Sequence, residues 1–182
     1  SANPNYPRIH LTEISKDNPA NPPVFCMLLR KHLIGGKVIS FDFNDYERII
    51  SINIETVNEL GDISIKKLII EIMGRHSNII LVNETGKIMD AIKHVSSDIS
   101  SVREVMPARE YVLPPSQNKS DPLSIDVDTL LSNYTIPADN MILVDNTIYI
   151  EKFLLDKIKG ISPFLCREIC NSAGVDGKLP VS

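Results

Sequence analysis

The chain has 182 residues, 43% hydrophobic and 23% charged, with a formal net charge of −4. That is the profile of an ordinary soluble globular protein, with length for one medium domain and an appendage or for two small domains. No apolar run approaches the ~18 residues of a membrane span, and no stretch reads as a signal peptide. Cys26, Cys166 and Cys170 are odd in number and scattered, which argues against a disulfide framework and for a reducing, cytoplasmic setting.

The opening stretch SANPNYPRIHLTE has a β-like pattern and no initiator methionine, so a cut from a longer protein is expected. NPANPPVFCMLLRKHLIGGK predicts a helix over residues 22–34. Pro22 and Pro23 suit its entry, Phe25, Leu28, Leu29 and Leu33 recur at helical spacing, and Gly35 and Gly36 end it. Then KVISFDF, ERIISINIE, ISIKKLIIEIM, NIILV and KIMDAIK read as consecutive strands, with NETG as a tight turn between the last two. Strands in a row without intervening helices predict an antiparallel sheet, and YVLPPSQNKSDP reads as a linker. Beyond it SIDVDTLLSNY and NTIYIEKFLLDKI have helical spacing. SPFLCREICNSAG places Ser162 as N-cap, Pro163 at the first helical position and Gly174 as the stop. The fold class expected is α+β: a predominantly antiparallel β domain over residues 1–116, then a linker and small helical unit over residues 117–182.

Charge is distributed unevenly along this plan. Residues 1–119 hold 14 Lys+Arg and 14 Asp+Glu, whereas residues 120–182 hold 5 and 9. Composition alone does not demand a nucleic-acid footprint, but if the chain carries one it belongs in the first two-thirds.

Few residues suggest catalysis. His10, His32, His76 and His94 share no metal-ligand spacing, and HExxH, CxxC, phosphate-loop and serine-elbow patterns are absent from the sequence. Cys166 and Cys170 lie one helical turn apart, as two zinc ligands could, but without a second pair they read as small residues on an apolar helix face. No catalytic residue, metal or cofactor is expected.

Strand parity is more informative. In KLIIEIMG, Leu68, Ile70 and Ile72 share one face, leaving Lys67, Ile69, Glu71 and Met73 on the other. Either a second layer packs on that outer face, or its apolar side chains meet nucleic-acid bases while Arg75 and His76 supply donors. Arg48 shares parity with Ile50, Ile52 and Ile54. It either snorkels outward or presents its fork to a ligand. KIKGISPFLCREI has the form of a helix-hairpin-helix, in which Gly160 and Ser162 could meet a phosphate; a second glycine is usual where Ser162 stands, and plain helix packing is the alternative.

Together NPPVFCMLLRKHLIGGKV, EIMGRHSNIILV, DAIKHV, SVREVMPAREYVLPP and GISPFLCREI resemble, in order and over essentially the whole chain, the N-terminal domain of the NFACT family. This group includes bacterial fibronectin-binding-protein homologues. The resemblance implies a fold like the N-terminal domain of Fpg-type DNA glycosylases, without their catalytic residues, and implies that the family's first strands precede this chain. It implies a part in ribosome-associated quality control, with tRNA (alanyl-tRNA in bacteria) and the obstructed large ribosomal subunit as partners and C-terminal tailing of stalled nascent chains as the outcome. The family's Asp-Arg pair falls on Glu47 and Arg48, so a glutamate stands where the family has aspartate. Its Glu-Ile-Met-Gly-Arg segment falls on Glu71, Ile72, Met73, Gly74 and Arg75. The resemblance thus implies tRNA contacts at Glu47, Arg48, Glu71, Ile72, Met73, Arg75 and His76. The alternative is a surface adhesin that binds fibronectin or fibrinogen.

Overall fold

A computed structural model describes residues 1–15, 17–44, 46–58, 60–115, 118–126, 128 and 148–181. The chain divides into two compact units, Ser1–Pro115 and Ser116–Ser182.

The first unit begins with helix α1, Val24–Leu33, entered from Pro23 and left through Gly35 at φ 78°. Five strands follow: β1 Lys37–Phe43, β2 Ile49–Val57, β3 Ile63–Glu71, β4 Asn78–Val82 and β5 Ile88–Ala91. They form one antiparallel sheet in the order β1-β2-β3-β4-β5. Each strand neighbours its predecessor because the connections are too short for a crossover. Asn83, the first residue of the NETG turn, holds that turn closed by accepting from the Thr85 and Lys87 amides.

Register decides the faces. Ile49 lies opposite Glu71, and Glu71 opposite Asn78, while Ile69 lies opposite Ile80. Ile49, Ile69, Ile80, Val82, Ile88, Ala91 and Val105 make the core cluster, with Val95 and Tyr111 packed against it. Burying each such aliphatic side chain stabilises the fold by about 1.5–3 kcal/mol. Of the two readings of the β3 face that carries Ile69 and Glu71, the packed layer is the one found. A second layer does cover them, because the stretch after β5 folds back over that face and bridges Val95 to Val105 and Lys87 to Glu110. The opposite face buries Ile54, Ile70 and Leu81, and also Lys66, whose Nζ donates to Thr56 Oγ1 and Ser64 Oγ, both at 3.1 Å. β1 is an edge strand exposed along its whole length.

The β-like reading of the opening stretch does not hold: residues 1–15 contain no strand. Pro4 and Pro7 have no amide to give a ladder. The segment bonds locally instead, Tyr6 N to Asn3 O and Arg8 N to Ser1 O.

In the second unit, α2 spans Ile150–Lys157 and α3 spans Pro163–Ser172. Ser162 caps α3 by accepting from the Leu165 amide, Pro163 opens it, and Gly174 follows it at φ 67°. Phe153, Cys166 and Cys170 are its buried side chains among the described helical residues. The helix expected within SIDVDTLLSNY lies mostly outside the described residues.

Candidate nucleic-acid interface

Antiparallel pairing brings three connections to one end of the sheet: residues 46–48 before β2, residues 72–77 between β3 and β4, and residues 92–94 after β5. Arg48 is exposed, and its carbonyl accepts from the Ile72 amide at 2.8 Å. The two segments singled out in the sequence, Glu47-Arg48 and Ile72 to His76, are therefore neighbours. Glu47 is exposed, with its amide on Asn44 O.

The β3–β4 connection is a closed turn. Gly74 takes φ 55° and opens a single 3₁₀ turn, Gly74–His76. The Met73 amide donates to Ser77 Oγ, the His76 amide to Met73 O and the Ser77 amide to Gly74 O. Ser77 is fully buried. Ile72 and Met73 are half-buried, whereas Arg75 and His76 project into solvent, with Arg75 Nε donating to His76 Nε2 at 2.9 Å. Lys93 joins them: its Nζ donates to the Arg75 carbonyl at 3.2 Å. Asn78 holds that third segment in place, donating to Lys93 O and accepting from the Lys93 amide. Nearby His94 pairs with Asp90 at 2.6 Å.

Glu71 is placed differently from the other candidates. It is 2% exposed. Its carboxylate accepts from both ends of the Arg103 guanidinium, at 2.5 and 3.3 Å, and from Tyr111 Oη at 2.9 Å. The Arg103 guanidinium also lies over the Tyr111 ring, 5.2 Å from its centroid. Burial, then the Glu71 carboxylate, pushes the Tyr111 hydroxyl far above its ordinary range, so it stays a donor. Sequence reasoning missed Arg103, Tyr111, Lys93 and Asn78. Nothing local distinguishes Arg103 in SVREVM, Tyr111 in AREYVL, Lys93 in DAIKHV or Asn78 in HSNIIL from solvated polar residues; only the fold brings them to the end of β3.

Gly160 and Ser162 lie in the other unit. Gly160 takes φ 72° between α2 and α3. Two of the first three α3 positions offer no amide to an anion, because Pro163 has none and Leu165 donates to Ser162. Among the described residues no three His, Cys, Asp or Glu side chains converge on a metal site, and no helix is long and apolar enough to cross a membrane.

The family model described as NFACT N-terminal and middle domains matches residues 1–182. Rqc2 homolog RqcH of Bacillus subtilis (strain 168) is 38% identical over 180 residues, 98% of this chain and 30% of that protein. Rqc2 homolog RqcH of Streptococcus pneumoniae serotype 2 is 41% identical over 145 residues, 78% of this chain and 26% of that protein. The chain thus spans less than a third of these relatives' length. Among solved structures, the N-terminal domain of fibronectin-binding protein PavA from Streptococcus pneumoniae superposes with a TM-score of 0.77 at 34% identity, over 96% of this chain and 62% of that one. The fibrinogen binding protein from Staphylococcus aureus superposes with a TM-score of 0.74 at 34% identity, over 99% of this chain and 60% of that one. A family match over the whole length, with relatives above 30% identity across most of the chain, places it: this chain belongs to the NFACT family, in the region of its N-terminal and middle domains.

Proposed function

We propose that this chain serves ribosome-associated quality control by contacting tRNA through the sheet end that carries Arg48, Arg75, His76 and Lys93. The observation that supports it is the convergence of these donors, from three separate connections, on one exposed rim beside the half-buried Ile72 and Met73. Arginine and lysine at such a rim suit phosphate, and apolar side chains beside them can pack on the flat faces of unstacked bases. Glu47 lies beside Arg48 and would hold it by charge, or accept from a ribose hydroxyl. The large ribosomal subunit is the second partner in this reading, C-terminal (alanine) tailing of a stalled nascent chain is the process served, and the cytoplasm its setting. The chain itself acts by binding and supplies no catalytic group or cofactor. The helical unit is a helix-hairpin-helix-like element on this view, and the sheet domain is of the Fpg-type glycosylase kind.

The test is co-sedimentation of the protein with large ribosomal subunits and tRNA, wild type beside Arg48→Ala and Arg75→Ala. Loss of tRNA from the pellet with both variants supports the reading, and unchanged recovery overturns it. The second reading, a surface adhesin, has its support in the names of the structural relatives. Retention on immobilised fibronectin at physiological salt, unaffected by the same variants, would favour it.

A further inference from the structure

Resting on the tRNA reading above, we propose that Arg103 and Tyr111 are positioning residues: they clamp Glu71 at the root of the β3–β4 turn and thereby aim Arg75 and His76 at the RNA. Glu71 is the last residue of β3, three positions before Gly74. Its immediate surroundings favour an apolar side chain. Ile49 on β2 and Asn78 on β4 stand directly opposite, Asn78 with its side chain bonded to Lys93, and Ile69, Ile80 and Val105 fill the same face. A buried ion pair in such a place costs desolvation that a hydrophobic residue would avoid, so stability alone does not account for it. What the pair supplies is direction. A planar fork meeting a carboxylate at two points fixes the rotation of both groups, and Tyr111 fixes the carboxylate from a third side. Arg103 is oriented toward Glu71 at the expense of one of its other donors, since its Nε is buried and bonded to nothing among the described residues.

The clamp also connects two parts of the chain distant in sequence. Arg103 and Tyr111 belong to the stretch that folds over the core face after β5, so its docking on Glu71 sets where β3 ends. From there the chain has little freedom: Ile72 is held by Arg48 O, Met73 by Ser77 Oγ, and Ser77 is fully buried. Arg75 and His76 are the outward members of that closed turn. A group on a rigid support loses less freedom when it binds than one on a mobile loop, which is how a residue remote from the ligand can set affinity.

The experiment measures affinity of the protein for one deacylated tRNA transcript at several salt concentrations, for wild type, Arg75→Ala, Arg103→Lys and the combination. Arg103→Lys keeps the buried charge and removes the two-point geometry. Losing one phosphate contact lowers the log–log salt slope by roughly one unit. If the clamp acts through Arg75, Arg103→Lys lowers the slope as Arg75→Ala does, and the combination lowers it no further. Should Arg103→Lys not fold, the double variant Glu71→Gln/Arg103→Met removes both charges together and takes its place. Amide exchange at Met73, His76 and Ser77, read without RNA, should accelerate in the clamp variant while Ile80 stays protected. A wild-type slope with unchanged turn exchange, in a variant that folds, overturns the proposal. An Arg75→Ala protein that binds as wild type at every salt overturns the tRNA reading instead, and the exchange measurement then still decides whether the clamp orders the turn.

Discussion

Replacing Gly74 tests how the turn is held. A Cβ built on Gly74 meets nothing within 4 Å, so an alanine there is not opposed by crowding. The backbone is the whole obstacle, because φ is 55°, in the left-handed region. For an ordinary L-residue that conformation costs roughly 1–2 kcal/mol, partly offset by about 0.4–1 kcal/mol from the lower entropy of an unfolded chain without glycine. Gly74→Ala should therefore destabilise the sheet unit by about 0.5–1.5 kcal/mol. Gly74→Asn should cost less, since asparagine visits this region readily, and Gly74→Val more, since a β-branched residue resists it. Gly36 is the control of opposite kind. There a Cβ would stand 2.9 Å from Ile54 Cγ2, 2.9 Å from Thr56 Cγ2 and 3.0 Å from Leu33 O. Its alanine variant should lose about 1–3 kcal/mol through overpacking. Urea unfolding of the four variants gives the comparison. The order Asn, Ala, Val at position 74, from least to most destabilised, is the expected result. An alanine variant as stable as wild type, or an asparagine variant worse than valine, would show that the turn does not hold position 74 at positive φ.

Glu71→Gln leaves Arg103 buried without its counter-charge and should cost about 3–5 kcal/mol, most of it recovered in Glu71→Gln/Arg103→Met; calorimetry that finds the single variant within 1 kcal/mol of wild type would contradict the buried pair. Arg48→Ala should lower tRNA binding while leaving stability within about 0.5 kcal/mol, as expected for an exposed side chain. A large loss of stability with normal binding would return Arg48 to a packing role. Burial raises the thiol pKa of Cys166 and of Cys170 above the ordinary value. A raised folded-state pKa means that their contribution is complete below the ordinary thiol pKa and is lost as pH rises through the higher folded one, so the helical unit should weaken in alkali. At neutral pH a thiol reagent should label Cys26, half-buried on α1, well before either of them.

How much was legible beforehand depended on the range of the interaction responsible. Proline at the entry of α1, glycine at its exit and the Ser162-Pro163 start of α3 act within a few residues, so those elements could be read from the chain. The antiparallel order followed from short connections alone. Side-chain parity in β3 was also legible, but not which face would be covered, because that depends on the stretch after β5 folding back across the sheet. Glu71 shows the difference most clearly. Its spacing beside Ile72, Met73, Gly74 and Arg75 belongs to the family pattern and reads as part of one exposed motif. The fold instead turns its carboxylate inward to Arg103 and Tyr111, 32 and 40 positions further on. Buried charges are tolerated only with such partners, and partners that distant in sequence leave no local signal. The sequence by itself determined where the chain turns and which residues to consider as candidates; tertiary packing decided which of them face solvent, which are held inside by distant partners, and that Lys93 stands beside Arg75.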